Sequence, residues 1–204
     1  MICNKCPRLC QFIQKNKELY PDFFNGPVPN FGDTNGTLLV VGLAPGLKGA
    51  NRTGRPFTGD YAGIILYETL LKFGWASGTY RQSIDDGLKL KNALITNAVA
   101  CVPPENKPLP EEINMCNTRL KSTIEGMKNL RAILSLGRIS HQAVLKAFGL
   151  KQSEFPFAHG NVHHLPNDVY LVDSYHCSRY NINTRQLTQQ MFDAIFEKIN
   201  EITG

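Results

Sequence analysis

Four short apolar runs set the rhythm of the chain: Leu38–Val41, Ala93–Thr96, Ile133–Leu136 and Val169–Val172. Each is compact, rich in branched side chains and closed by glycine or a polar residue, which is the pattern of strands buried on both faces. The segments between them repeat at helical spacing instead. Ile65, Leu66, Thr69, Leu70 and Phe73 share one face of a helix over 61–73, a second amphipathic stretch covers 138–149, and Leu187, Met191, Ile195 and Ile199 line the last helix. A short helix passes through Leu9, Phe12 and Ile13, and a proline-broken stretch ending at Cys116 leads into another, with Glu111 and Glu112 suiting its positive N-terminal end. Strands alternating with helices predict an α/β fold: a three-layer α/β/α sandwich with a mainly parallel four-stranded central sheet. One domain spans 1–204, with an N-terminal segment and lead-in loop, 1–36, packed on it. Residues 74–91 read as irregular and polar, with Asp85 and Asp86 solvated in a turn.

Length and composition agree with this outline. A 204-residue chain that is 42% hydrophobic can build a proper core. No apolar run approaches the roughly 18–20 residues that cross a bilayer, and MICNKCPRLC lacks a signal-peptide core, so a cytoplasmic protein without a membrane partner is expected. The net charge of +5 permits a polyanionic partner without demanding one. Six cysteines are unevenly placed, three of them within the first ten residues. In a reducing compartment such clusters read as metal ligands, and Cys3-x-x-Cys6 suits zinc, an iron–sulfur cluster or a redox dithiol.

Candidate chemistry gathers where strands end. The first run stops at Gly42 and opens into a loop holding Gly46, Gly49, Gly54 and Gly59 with Lys48, Arg52 and Arg55, a place where open α/β sheets bind ligands. It contains neither a P-loop GKS/GKT nor a G-x-G-x-x-G, which argues against those nucleotide folds. The second run delivers Asn97, and the fourth delivers Asp173 through Asn181, including His176. In a parallel sheet these three ends share one edge and can converge. His141 reads as ordinary surface or packing. His159, His163 and His164 hint at zinc, but with no carboxylate or cysteine nearby in sequence.

Three segments carry a resemblance: GLAPGLKGANRTGRPFTGD at 42–60, ITNAVACVPPENKP at 95–108 and SYHCSRYNINTRQLT at 174–188, with YPDFF and PVPNFGD leading in at 20–33. They resemble the uracil-DNA glycosylase superfamily, most closely its family 5 (type B) enzymes. The resemblance implies a DNA-repair hydrolase that cleaves the N-glycosidic bond of uracil and other deaminated or modified bases, leaving an abasic site. It implies that Asn97 hydrogen-bonds the uracil edge, Phe57 stacks on the base, Gly42, Ala44, Pro45 and Gly46 complete the pocket, and His176 steadies charge on a base oxygen. Ala44 cannot bind water, so water positioning falls to Asn51, with Asp60 next. Gly46 stands where uracil-specific relatives carry tyrosine, which implies a wider pocket. Ser178, Arg179, Tyr180 and Asn181 resemble the duplex-entering wedge, although Cys177 and Arg179 replace two prolines of the usual H-P-S-P pattern. Lys48, Arg52 and Arg55 are further phosphate contacts. Cys3, Cys6, Cys101 and Cys116 match the ligands of a 4Fe–4S cluster, which would staple segment 1–36 to the loop at 101–116; spacing alone leaves zinc equally open. Cys10 reads as a helix-face core residue and Cys177 as a loop residue. The implied partner is damaged double-stranded DNA, bound by a monomer. Two other classes stand beside this reading: a non-catalytic nucleic-acid-binding protein with a metal or cluster staple, and a hydrolase of small nucleotides.

Overall fold

The computed structural model describes residues 3–204; the first two residues of the N-terminal segment lie outside that range. The central sheet has six strands: β1 (Phe31–Gly32), β2 (Leu38–Gly42), β5 (Ala93–Asn97), β6 (Ala132–Leu136), β7 (Val162–Leu165) and β8 (Val169–Ser174). Their order is β1-β5-β2-β6-β8-β7. The inner four are parallel and are the four strands expected from the sequence. Two antiparallel edges, β1 and β7, enlarge the expected four-stranded sheet. Neither carries an apolar run: β1 is two residues long, and β7 reads Val-His-His-Leu with one buried position.

Both sheet faces are covered, which is why the inner strands are continuously apolar. Leu38, Val40, Ile95 and Leu134 face helices α3 (Tyr61–Lys72) and α7 (Gln189–Thr203), through Leu66, Leu70, Phe192 and Phe196. Leu39, Val41, Leu94, Ile133 and Leu171 face α4 (Pro110–Gly126) and α5 (Arg138–Phe148), through Leu120, Val144 and Leu145. Helix α4 carries Cys116 within it, so the helix takes up the end of the proline-broken 101–116 loop expected from the sequence. Leu187 is buried but precedes α7, which begins after its Thr188 cap.

Three further elements bear on function. Helix α1 (Pro7–Leu19) is tied to α4 by Arg8, whose guanidinium forks onto Glu112 at 2.8 and 2.7 Å while Glu112 also accepts from Leu109 N. That tie brings the first cysteines beside Cys116. The stretch expected to be irregular forms a small hairpin, β3 (Ala76–Ser77) with β4 (Lys89–Leu90). Short helices α2 (Ala50–Thr53) and α6 (Arg179–Asn183) lie within the loops after β2 and β8. Among the described residues no helix is long and apolar enough to cross a membrane.

Candidate active site

The carboxyl ends of β2, β5 and β8 open on a cleft of about 410 Å³. Among its lining residues are Ala44, Pro45, Gly46, Phe57, Asp60, Asn97, His176, Ser178 and Arg179. Register explains part of this convergence: Gly42 pairs with Asn97 across β2 and β5. A side chain on Gly42 would collide with Asn97 Oδ1 and come within 2.5 Å of Phe57 Cζ. Glycine there lets the amide and the ring meet over the strand end. Phe57 is buried and lies roughly parallel to His176, with centroids 6.2 Å apart.

His176 and Asp60 are among the ionisable groups that face the cleft. Burial depresses the pKa of His176, and the nearby Asp60 only partly opposes this, so the imidazole is neutral at physiological pH. Asp60 caps α3: its Oδ1 accepts from Gly63 N at 3.0 Å. Its Oδ2 points to the loop side of the cleft, near Gly46 and Gly49. Burial also depresses His159, which accepts from Tyr175 N at 3.2 Å. An unfolded histidine takes up a proton near pH 6.5 while these two remain neutral, so the unfolded state binds more protons there and stability rises with pH. Urea melts are expected to give a lower midpoint at pH 5.5 than at pH 7.5, and His159→Asn is expected to flatten that difference.

Not every expected site residue shares the cleft. Asn51 is fully buried and outside the cleft; its Nδ2 donates to Asn25 Oδ1 at 2.9 Å, fastening the 20–26 loop to α2. The sequence assigned it to water, and the structure gives it a fastening role instead. Arg55 is equally unavailable to phosphate. It is buried and forks onto Asp86 at 2.9 and 2.8 Å, so Asp86 is a buried counter-ion and not the solvated turn residue expected. Lys48 and Arg52 are exposed, as are Arg179 and Tyr180, the latter 75% exposed. Ser178 caps α6 by accepting from Asn181 N, and Asn181 Nδ2 donates to His176 O at 2.8 Å. Cys177 lies in the loop between β8 and α6, as expected, but is buried there, with its thiol near Ala62 O and pushed up to about 12 by burial. Tyr61 and Asn106 line the cleft without having been singled out; Arg179 lies over the Tyr61 ring at 5.1 Å. Their only sequence signal was proximity to Asp60 and to the Pro-rich loop.

The histidines also differ from expectation. His141 is buried, and its Nδ1 lies 2.7 Å from Asp173 Oδ1, which also accepts from Ser135. His163 reaches the same carboxylate at 3.3 Å, so a carboxylate does lie nearby once β7 pairs with β8. His164 is exposed and turns to Asp168.

Cys3, Cys6, Cys10, Cys101 and Cys116 line a separate cavity of about 90 Å³, together with Arg119. Burial, then the neighbouring thiols, pushes Cys101 up to about 12. Ala100 N donates to Cys116 at 3.4 Å, and Cys10 donates to Cys3 O at 3.4 Å, so Cys10 faces the thiol cavity and not the core. The Arg119 guanidinium meets neutral acceptors: Asn30 Oδ1 at 2.6 Å, Thr96 Oγ1 at 3.2 Å and Val28 O at 3.3 Å.

Residues 29–200 match the model of the family described as "Uracil DNA glycosylase superfamily". A type-5 uracil-DNA glycosylase of Thermus thermophilus is 40% identical over 99% of this chain and 94% of its own length. A type-5 enzyme of Pyrobaculum aerophilum is 37% identical over 96% of this chain and 87% of its own. A type-4 uracil-DNA glycosylase of Archaeoglobus fulgidus is 28% identical over 100% of this chain and 89% of its own.

Proposed function

The chain belongs to the uracil-DNA glycosylase superfamily, and on that premise we propose that it is a DNA-repair glycosylase that hydrolyses the N-glycosidic bond of uracil in DNA and leaves an abasic site. The observation that carries this reading is the meeting of Asn97, Phe57 and a neutral His176 in one cleft. Cleavage leaves electrons on the departing base and positive charge on the sugar. The base must first leave the stack. The Asn97 amide offers one donor and one acceptor to its edge, and the Phe57 ring covers its face. His176 donates an N–H to the base oxygen as negative charge grows there, and being neutral it needs no proton transfer to do so.

Asp60 takes the role of steadying the sugar cation and positioning water, because its Oδ2 faces the cleft where Asn51 does not reach. Asp60→Ala is expected to lower the single-turnover rate by about tenfold or more. Asn51→Ala is expected to destabilise the fold by about 1–3 kcal/mol, through the bond lost to Asn25, with little change in rate at saturating DNA. Equal rate losses in both variants would reinstate Asn51.

A side chain at Gly46 would meet nothing closer than 3.8 Å, so its absence leaves open room beside the base. We assign the site a wider substrate range, including hydroxymethyluracil and hypoxanthine; strict restriction to uracil across a panel of lesion duplexes removes that assignment. DNA contact falls to the exposed Lys48, Arg52 and Arg179, with Ser178 and Asn181 shaping the turn and Tyr180 filling the gap left by the flipped base. The enzyme acts as a cytoplasmic monomer on duplex DNA, which light scattering and paired single- and double-stranded substrates check.

Cys3, Cys6, Cys101 and Cys116 line one cavity, and the family resemblance assigns them to a 4Fe–4S cluster, although four thiolates also suit tetrahedral zinc. The Arg119 cation, facing the thiols with no carboxylate bonded to it among the described residues, suits a negatively charged thiolate-bound group. When bound, the cluster would cross-link the segment leading into α1 to the Cys101 loop and to Cys116 in α4. Iron and acid-labile sulfide analysis of purified protein checks it.

An alkaline-cleavage assay on duplex DNA bearing one uracil tests the whole reading. Strand breakage at the uracil supports it. Binding without breakage, by protein loaded with iron and sulfide, leaves the non-catalytic binding protein in its place.

A further inference from the structure

We propose that Tyr80, on the excursion between β3 and β4, is a positioning residue that fixes Phe57 in the conformation that presents its ring to the cleft. The proposal rests on the glycosylase reading only for what Phe57 stacks upon. Phe57 has a φ of 53°, in the left-handed region that a bulky residue adopts only when its surroundings impose it.

Those surroundings are specific. Tyr80 Oη donates to Phe57 O at 3.0 Å, and Tyr67 Oη donates to Pro56 O at 2.6 Å. Thr58 Oγ1 donates to Pro56 O at 3.2 Å and accepts from Arg55 Nε at 2.7 Å. Each peptide on either side of Phe57 is thus held by a side chain. Helix α3 closes the other side, because any side chain on Gly63 would run into Phe57 O.

Tyr80 is itself held in place. Its ring lies 4.6 Å from that of Tyr67, and the Arg55 guanidinium stands over both, 5.5 Å from the Tyr67 ring and 5.8 Å from that of Tyr80. Arg55 is anchored to Asp86, which also accepts the backbone N–H of Arg81 and Leu88 at 3.0 Å each. These bonds fold the 80–88 excursion back onto the 54–58 turn. Burial pushes the Tyr80 phenol up to about 12, so it remains a donor across the physiological range. Tyr80 is absent from the cleft lining, and its route to the site is the Phe57 carbonyl.

The excursion is polar for most of its length, and both Tyr80 and Asp86 from it converge on one turn. Without the hydroxyl of Tyr80, the Phe57 peptide loses the donor on its carbonyl and the backbone can relax toward an ordinary conformation, which swings the ring off the strand end.

Tyr80→Phe keeps the ring and removes only that donor, so the fold is retained. With uracil-bearing duplex, its maximal single-turnover rate is expected to fall about threefold to tenfold, the fold-change of one lost hydrogen bond. The half-saturating DNA concentration is expected to stay within about twofold, because Tyr80 touches no DNA-facing residue. In a Phe57→Ala background the same change is expected to alter the rate less than about twofold, because its route to the site is gone. An unchanged rate for Tyr80→Phe, or the same fall in both backgrounds, overturns the proposal.

A second readout does not need activity. Fluorophenylalanine placed at position 57 alone, by nonsense-codon suppression, gives a single fluorine signal and leaves the phenylalanine introduced in Tyr80→Phe unlabelled. One sharp signal is expected in the intact protein and a second or broadened one in Tyr80→Phe. An unperturbed Phe57 signal overturns the proposal even for a chain that cleaves no uracil, which separates its failure from that of the glycosylase reading.

Discussion

His176→Ala is expected to slow single-turnover release of uracil by about 10²–10³-fold with the fold intact, the usual cost of removing one donor aimed at developing negative charge. The expectation follows from where burial has put the imidazole. His176 sits beside Phe57 at the cleft wall, its pKa depressed by burial with only partial opposition from Asp60. A neutral ring donates one N–H from a buried position, where a hydrogen bond to an anion is worth more than in bulk solvent. Asn97→Ala should act on the same base from β5, and the two losses should combine to less than their product because both groups grip one leaving group. Circular dichroism establishes folding, and alkaline cleavage measures the rate. A His176→Ala rate within about threefold of the intact protein would remove leaving-group stabilisation from this histidine.

Asp86→Ala should be the most damaging substitution for stability, lowering unfolding free energy by about 3–5 kcal/mol. Arg55 is 5% exposed, and its guanidinium spends two N–H groups on Asp86. Removing the carboxylate leaves a buried cation among the rings of Phe31, Tyr67 and Tyr80, whose faces attract it but do not neutralise it. The sign of the pH dependence is fixed by the same contacts. Burial raises the Asp86 pKa, but the bonds from Arg55, Arg81 N and Leu88 N outweigh it and hold the carboxyl well below the usual carboxylate range. Its contribution is therefore complete above the unfolded carboxylate value near pH 3.9 and fades as pH falls toward the folded value. Urea melts should show the full deficit of Asp86→Ala at pH 7 and a narrowing gap below about pH 4. A constant gap across that interval would mean that the pair contributes through packing alone.

The inner sheet and the edge that carries the site were legible because they depend on local pattern. Strands buried on both faces must be apolar without interruption, so Leu38–Val41 and its three counterparts announced themselves, and parallel connection put their ends on one edge. Gly42, Asn97 and His176 could be picked out because strand ends are short-range signals, whereas Phe57 and Asp60 were singled out by the family resemblance. The cysteines were grouped by the family resemblance, and the fold brings Cys3, Cys6, Cys101 and Cys116 to one cavity.

Which partner each polar group takes was decided only by the tertiary structure. Asn51 and Asp60 look alike in sequence, two polar residues in one loop, but Asn51 turns inward to Asn25 while Asp60 caps α3 with one oxygen and keeps the other toward the cleft. Arg55 looked like a phosphate ligand until Asp86, thirty-one residues away, claimed it. His141 acquired a role only when β8 brought Asp173 to it across thirty-two residues. The edge strands β1 and β7 form because neighbours offer them free backbone groups, a property of the neighbour that their own residues do not encode. Apolar burial is a property of a residue and its period, so the sequence by itself settles it. A buried polar group must find a partner wherever the chain happens to bring one, and only the folded structure says where that is.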